Sequence, residues 1–316
     1  MLKKILIILA GVLALIGAGA ISYVYLSQTG RFQESVQVET TVISSSSIPR
    51  IATKVNDNLA VKDVVEKKTV VAPGPLRATT TPVLSKSSSD LSLDGVIQFT
   101  NIARAQNGGL PALTESSFLD RDAKMKLDDM FAKQYFEHVS PLGVGPADLA
   151  QAVGYAYVIV GENLALGDFG SDQGVVTAWM NSPGHRANIL NSHYQEIGVA
   201  VGKGIYEGKE TWLAVQSFGM PLSACPTVDT NLKAQIDAIN ATISDLRTQL
   251  DVKKAQIDAT PTRSKNYNVY VNEYNAIVPR YNSLVETNRE NVATYNAQVQ
   301  AFNVCIGSVA TTTTKY

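Results

Sequence analysis

Three histidines and one glutamate are the residues of this 316-residue chain whose types are best suited to chemistry. His138, His185 and His193 are its only histidines, and Glu162 stands in the apolar stretch Gly161–Ala165. Imidazole and carboxylate groups serve as general acids and bases and as zinc ligands. A glutamate in an apolar stretch also needs a partner if it is buried, because an isolated charge is costly to remove from water. Each signal alone is modest, because a lone histidine is more often structural than functional.

The spacing of these residues excludes several common catalytic motifs. The sequence has no His-Glu-x-x-His zinc helix, no Gly-x-Ser-x-Gly nucleophile elbow and no phosphate-binding loop. Ser140 and Ser182 lie near histidines, yet nothing in the sequence orders them into a catalytic triad. The formal net charge is −1 for the whole chain and −6 for residues 93–220, so nucleic acids and anionic membrane surfaces are poor partners for this part.

Seven short motifs between about Leu93 and Gly219 resemble, in order, those of the CAP superfamily in its bacterial branch. This superfamily, also called SCP-like, is named for cysteine-rich secretory and pathogenesis-related proteins. The motifs are Asn101-x-x-Arg104, Gly109-Leu-Pro-Ala-Leu113, Tyr135-Phe-x-His138-x-Ser-Pro-x-Gly143, Gly161-Glu-Asn-Leu-Ala165, Trp179-Met-x-Ser-Pro-Gly-His-Arg-x-Asn-Ile-Leu190, Glu196-Ile-Gly198 and the closing stretch Trp212–Gly219. One such motif would mean little, but seven in the right order cover about 40% of the chain.

The resemblance implies an α+β fold of the CAP type, an α-β-α sandwich with a surface cleft. In that family two histidines and two glutamates converge on the cleft, and in some members the histidines hold a divalent metal. His138 and His185 match the histidines and Glu162 matches one glutamate, whereas Ser182 stands where the second glutamate is expected. We therefore predict a cleft built from His138, Glu162 and His185, with His138 and His185 as candidate ligands of a divalent metal such as zinc. His193 matches no family position and is expected to be exposed.

The N-terminal residues predict export from the cytoplasm. Two lysines precede Ile5–Leu26, an uncharged run of 22 residues that is long enough to cross a bilayer as a helix. The lysines favour a cytoplasmic N-terminus, and the continuation of the apolar run through Tyr23 and Tyr25 favours a retained anchor. Ala18-Gly19-Ala20, in contrast, suits cleavage of a signal peptide. Under either interpretation the rest of the chain lies outside the cytoplasm.

The C-terminal part carries two heptad repeats. Apolar residues within Leu232–Ile257 recur at alternating spacings of four and three, and after a proline-bearing turn Tyr-Asn pairs recur in steps of seven within Tyr267–Asn303. These repeats predict an antiparallel helical hairpin of the coiled-coil type, with tyrosines in its core and a kink at Pro279. Cys225 and Cys305 flank it, and a disulfide would close its open end. Two free thiols or an intermolecular bridge are the alternatives.

These patterns divide the chain into five predicted parts. They are a transmembrane anchor or signal peptide (1–26), a flexible Ser/Thr/Pro-rich linker (27–92), a CAP domain (93–220), the hairpin (225–305) and a disordered tail (306–316). The linker composition buries too little apolar surface to offset chain entropy. Short strand-like pieces such as Thr69–Ala72 are the alternative for this region.

The predicted function is that of an extracytoplasmic, membrane-tethered CAP-domain protein. It would bind an extracellular lipid, cell-wall or protein ligand in the His/Glu cleft, with or without a divalent metal. One alternative is a metal-assisted hydrolase or peptidase, with His138 and His185 on the metal and Glu162 as base. The missing second glutamate argues against this enzyme. The other alternative is a structural protein that self-associates through its coiled coil.

Overall fold

The structure is a computed structural model that describes residues 60–65, 68–78 and 90–310. The predicted transmembrane anchor or signal peptide (1–26) and most of the predicted linker lie outside these residues. Among the helices of the described residues, none combines the length and the apolar composition that crossing a bilayer requires.

The described chain contains both strands and helices. The strands are β1 (Thr69–Val71), β2 (Leu76–Arg77), β3 (Thr114–Glu115), β4 (Tyr157–Leu166), β5 (Glu196–Tyr206) and β6 (Lys209–Pro221). The helices are α1 (Leu93–Gln106), α2 (Ser117–Lys133), α3 (Pro146–Ala152), α4 (Asp172–Asn181), α5 (Pro183–Ile189), α6 (Thr230–Ala259) and α7 (Lys265–Ala310), with a 3-10 turn at Leu222–Ala224. This mixed α+β content agrees with the predicted fold class.

The six strands form one sheet whose centre is antiparallel. β4, β6 and β5 lie side by side in that order, and the two-residue turn Glu207-Gly208, with both φ angles positive, joins β5 to β6. β3 pairs in parallel with the outer edge of β5, whereas β1 and β2 both pair in parallel with the outer edge of β4.

Strand β4 is buried along all of its ten residues, because packed elements cover both of its faces. Leu164 and Leu166 lie in a core formed with α2, whereas Ala165 lies in the core formed with α1 and α4. Neighbouring residues of a strand point to opposite faces of the sheet. β4 therefore presents Glu162 and Asn163 to two different interiors, and this alternation positions the candidate site.

Two short segments of the predicted linker are part of the sheet. Residues 69–71 are in register with residues 159–161 of β4, and residues 76–77 are in register with residues 165–166. Val71 and Leu76 pack on the same core as Trp179. The structure thus differs here from the predicted flexible linker and agrees with the strand-like alternative. These segments form strands because the open edge of β4 offers backbone groups with which they pair. The local amino-acid composition of the linker gives no sign of this distant partner.

Two long helices, α6 with 30 residues and α7 with 46, confirm the predicted helical C-terminal region. Asn288 is buried and donates from Nδ2 to Asn240 Oδ1 (2.7 Å), and Lys253 pairs with Glu273 (2.8 Å). α7 continues as helix through Pro279, so the proline opens no turn there. The tyrosines and valines of the heptad frame that are buried are Val271, Tyr274, Val278, Tyr281, Val285, Val292, Tyr295 and Val299.

Two asparagines of the Tyr-Asn repeat bind the backbone of residues 60–65. Asn296 donates to the carbonyl of Ala60 (2.9 Å) and accepts from the N–H of Lys62 (2.7 Å). Asn303, one heptad later, donates to the carbonyl of Asp63 (3.0 Å) and accepts from the N–H of Val65 (2.9 Å). Seven helical residues and three extended residues both span about 10 Å, so the two repeats match in length.

The predicted disulfide between Cys225 and Cys305 is present, with their Cα atoms 5.7 Å apart. Cys225 belongs to the same hydrophobic core as Ile306 and Val309 of α7 and Trp179 of α4. The predicted disordered tail (306–316) therefore begins in ordered helix, which ends at Ala310. Residues 311–316 lie outside the described residues.

Replacing both cysteines by serine should lower the free energy of unfolding. The bond joins residues 80 positions apart, and closing a loop of that length stabilises by roughly 4–5 kcal/mol in the chain-entropy model. Urea unfolding of the Cys225→Ser, Cys305→Ser protein measures the loss. Wild-type protein kept in excess reductant is the matched control and should shift equally. An unchanged urea midpoint in both would contradict the prediction.

Candidate functional site

His138 lies between α2 and α3 and is held through both ring nitrogens. Its Nδ1 is 2.6 Å from Glu162 Oε1, and its Nε2 is hydrogen-bonded to the carbonyl oxygen of Pro73, between β1 and β2. When Glu162 is ionised both partners are acceptors, and a doubly protonated ring would then donate to both of them. In that form the ring forms an ion pair with Glu162, with side chains 11% and 1% exposed.

The loop that carries His138 is fixed by its own turn and by α2. Ser140 Oγ accepts from the N–H groups of Leu142 (3.3 Å) and Val144 (3.2 Å), and Gly143 supplies the positive φ of 82°. Lys126 donates from Nζ to the carbonyl of His138 (2.7 Å). Ser140 therefore shapes the turn, and its hydroxyl has no histidine partner among the described residues.

Glu162 stands opposite Ser217 of β6 and faces α2. One carboxylate oxygen, Oε1, meets His138. The other, Oε2, is buried and has no hydrogen-bond partner within the described residues. The carboxylate is thus half satisfied, which is unusual for a buried charged group.

His185 of α5 is 2% exposed, and its Nδ1 is 2.8 Å from Ser182 Oγ. Burial, assisted by the charge of His138, lowers the pKa of His185 to about 4, so the ring is neutral at neutral pH. Its Nε2 is buried without a hydrogen-bond partner in the described part of the chain. Ser182, at the position of the missing second glutamate, therefore contacts the histidine, although no third group in that part of the chain orders the pair into a triad.

A chain of buried hydrogen bonds fastens α5 to β4. Asn188 donates from Nδ2 to the backbone carbonyl of Glu162 (3.1 Å) and to Asn163 Oδ1 (3.0 Å), and it accepts from the hydroxyl of Tyr194 (2.7 Å). Gly161 permits this approach, because a Cβ there would lie 2.0 Å from Tyr194 Oη. These contacts position the backbone that carries Glu162.

The same chain of hydrogen bonds continues across the sheet to α1. Asn163 donates to Gln216 Oε1 (3.1 Å), and Gln216 donates to Thr100 Oγ1 (2.6 Å), which itself donates to the carbonyl of Val96 (2.7 Å). Gln216 and Thr100 are fully buried, and neither was among the predicted site residues. Both are polar residues within apolar stretches, which is the signal that could have identified them.

Two buried charged residues of α2, behind Glu162, were also absent from the predicted site. Asp122 accepts from Ser217 Oγ (2.5 Å), and burial raises its pKa to about 7, with the charge of Glu162 also raising it and the Ser217 hydrogen bond lowering it. Burial lowers the pKa of Lys126, an effect that the nearby carboxylates led by Glu162 oppose. Asp122 and Lys126 are one turn apart, on the face that also carries Leu119 and Leu127. Two charged residues on an otherwise apolar helix face are the sequence signal that could have identified them.

His193 takes no part in the contacts described for this site. Its backbone N–H donates to Asn191 Oδ1 (3.0 Å), and its side chain is half-buried, so the expectation of an exposed residue was wrong. Trp179, in contrast, lies in the core as predicted and donates from Nε1 to the carbonyl of Leu164 (3.2 Å).

The residues as arranged do not fit a resident metal ion. Both ring nitrogens of His138 already face protein acceptors, so neither offers a lone pair. Across residues 60–65, 68–78 and 90–310, no group of three or more His, Cys, Asp or Glu side chains is placed to hold an ion. A stable zinc site needs at least three protein ligands. Of the predicted ligand pair, His185 offers its Nε2, which has no hydrogen-bond partner among those residues.

Comparison with known proteins identifies relatives of the middle of the chain. The profile of the cysteine-rich secretory protein family, abbreviated CAP, matches residues 97–218. The uncharacterized protein YkwD of Bacillus subtilis is 38% identical over 141 residues, which are 45% of this chain and 52% of that protein. The uncharacterized membrane protein YlbC of the same organism is 31% identical over 111 residues, 35% of this chain and 32% of that protein. The chain thus spans about half of the first relative and a third of the second.

Three solved structures each align with 40% of this chain. They are an extracellular protein containing a SCP domain from Bacillus anthracis (28% identity, TM-score 0.35, 39% of that chain), an outer surface protein from Borrelia burgdorferi (21%, 0.33, 89%) and a cysteine-rich secretory protein from Staphylococcus aureus (21%, 0.31, 37%).

The raised pKa of Asp122 predicts a stability that falls as pH rises from about 4 to about 7. In this window the folded state keeps a proton that the unfolded chain has lost, so raising the pH favours unfolding. Relative to Asp122→Asn, wild type should lose up to roughly 4 kcal/mol across the window, at about 1.4 kcal/mol per pKa unit.

Urea unfolding at several pH values between 4 and 8 measures this difference. Because the lowered pKa of His185 acts in the opposite direction between about 6.5 and 4, the comparison must be with the variant and not with wild type alone. Asp128→Asn, on the exposed side of the same helix, is the control. Parallel stability curves for wild type and Asp122→Asn would contradict the prediction.

Proposed function

Residues 97–218 of this chain form a domain of the cysteine-rich secretory protein (CAP) family, of the bacterial type, and on this premise we propose that the protein is an extracytoplasmic, membrane-tethered binding module. Its ligand occupies the cleft at His138, Glu162 and His185. The observation that carries the proposal is that Glu162 Oε2 and His185 Nε2 are buried without hydrogen-bond partners among the described residues. Each such atom costs about 1–3 kcal/mol, and a buried polar atom left unsatisfied in a folded protein is more often found at a functional site than in a purely structural core.

Binding is favoured over hydrolysis by the state of the two histidines. Both ring nitrogens of His138 are engaged with protein oxygens, and His185 has a pKa of about 4, which makes it a weak base at neutral pH. Glu162 is engaged in the ion pair with His138. The metal-assisted hydrolase that the sequence offered as an alternative therefore gains no support from the contacts of these three residues.

The extracytoplasmic location is supported by the Cys225–Cys305 disulfide. Such bonds persist in oxidising compartments and are rare in the cytosol. The uncharged run Ile5–Leu26, which lies outside the described residues, would provide the tether or the export signal. A lipid, a cell-wall fragment and a protein are the ligand classes considered for such a module.

The binding role predicts that replacing His185 does not destabilise the domain. His185→Leu removes a buried Nε2 that has no partner among the described residues, and it also removes the hydrogen bond between Nδ1 and Ser182 Oγ. The two effects oppose each other, so the free energy of unfolding at pH 7 should change by less than about 1 kcal/mol. Asn188→Leu is the matched control on the same helix. Its amide is fully hydrogen-bonded to buried groups, so this change should destabilise by more than about 2 kcal/mol.

Urea or thermal unfolding of both variants decides between a binding role and a purely structural one. If His185→Leu destabilises the protein as much as Asn188→Leu, the cluster serves to hold the fold and the binding role fails. This comparison needs no knowledge of the ligand.

A further inference from the structure

A segment of the chain itself lies in the candidate cleft. The strap, residues 68–78, includes β1 and β2 and crosses the site between them, where the Pro73 carbonyl meets His138. We propose that the cleft and the outer edge of β4 form a binding site for an extended polypeptide, and that the strap is its internal occupant. This inference rests on the proposed binding function and names the class of ligand.

The strap pairs with β4 through its backbone. The strap adds two parallel strand segments to β4, and the N–H of Ala78 donates to the carbonyl of Leu166 (2.9 Å). Strand addition to an open sheet edge is a common mode of peptide recognition, in which main-chain bonds give affinity and alternate side chains give specificity. In the strap Val71 and Leu76 contact the core, whereas Val70 is 42% exposed. An extended ligand needs the same apolar pattern.

The Pro73-Gly74-Pro75 sequence accounts for the contact with His138. Prolines have no N–H to donate to a neighbouring strand, so the chain leaves the ladder where they occur. Four strap residues, 72–75, face three residues of β4, 162–164, between the two paired segments. The extra length allows the Pro73 carbonyl to reach His138 Nε2. An imidazole N–H is a hydrogen-bond donor, and a backbone carbonyl is the acceptor that any polypeptide can offer.

Both ends of the strap place a cation over an aromatic ring of the domain. Lys68 Nζ lies 5.6 Å from the ring centre of Tyr157, and the Arg77 guanidinium lies 5.2 Å from that of Phe136 and 5.7 Å from that of Tyr206. Each such contact contributes about 0.5–1 kcal/mol at an exposed site. Since residues 93–220 carry a net charge of −6, the site suits an extended, proline-containing polypeptide with basic residues about nine positions apart.

The strap competes with any external ligand because it is tethered to the site. A short tether gives a local concentration on the order of millimolar. The clamp of residues 60–65 by Asn296 and Asn303 shortens the free tether further. An external polypeptide therefore binds well only when the strap is released.

A strap-release variant tests this inference. Val71→Asp, Leu76→Asp places two carboxylates against the core and changes no residue of the CAP domain, whereas Val70→Asp makes the same change on the exposed side. The probe is a fluorescein-labelled peptide of residues 68–78, and its anisotropy is read with the full chain. The double variant should bind this peptide at least tenfold more tightly than wild type or Val70→Asp. A folded double variant that binds no better than wild type would overturn the inference.

Recognition at His138 is tested in the same background. His138→Ala added to the double variant should weaken peptide binding at least tenfold, and unchanged binding would remove His138 from the recognition site. Failure of peptide binding is distinguishable from failure of the proposed function, because the stability comparison of His185→Leu with Asn188→Leu does not involve the peptide. A peptide that fails while His185→Leu keeps its stability would overturn only the ligand class.

A milder variant covers the case in which the double variant does not fold. A Cβ on Gly184 would lie 2.8 Å from Pro73 Cβ, with no nearer or comparable contact to another residue, whereas a Cβ on Gly74 meets nothing within 4 Å. Gly184→Ala should therefore loosen the strap and speed tryptic cleavage after Arg77 at least threefold, and Gly74→Ala should not. Equal cleavage rates in both variants and wild type would contradict a displaceable strap.

Discussion

The burial of strand β4 on both faces is the constraint on which the rest of this structure depends. A strand in that position can carry polar side chains only where other elements satisfy them. Glu162 faces α2 and meets His138, and Asn163 faces the opposite interior and meets Asn188 and Gln216. The same strand has an outer edge that needs pairing, which β1 and β2 provide. One strand thus fixes both the site and the segment that covers it.

The buried carboxylate of Glu162 is accompanied by other charged groups. His138 contacts Glu162, and Lys126 brings positive charge toward Glu162 and Asp122. The burial of Asp122 favours its neutral form up to a pH of about 7. Breaking a buried ion pair by removing one partner is far more costly than replacing both partners. Glu162 Oε2 nevertheless has no hydrogen-bond partner in the described residues. This unsatisfied carboxylate oxygen belongs to the residue that contacts His138, which in turn contacts Pro73 of the strap.

Packing within the compact unit that contains the sheet joins parts of the chain that are far apart in sequence. Val71 and Leu76 from before the CAP domain, Trp179 from within it and Ile306 from after it share one hydrophobic core. The disulfide between Cys225 and Cys305 adds a covalent link at the same place. The hydrophobic core of the motif-bearing residues is therefore completed by flanking segments on both sides.

The sequence by itself determined what depends on local pattern. Heptad spacing predicted two long helices, and the two cysteines at the ends of that pattern predicted a disulfide. The ordered motifs indicated the family and drew attention to His138, Glu162 and His185. These signals lie within short stretches, where periodicity and residue type suffice. Only the tertiary structure decided that Asp122 and Lys126 lie behind Glu162, that Asn188 binds the backbone of Glu162, and that Pro73 covers His138. Each of these contacts depends on the edge or face of β4, which residues distant in sequence assemble and no local stretch encodes.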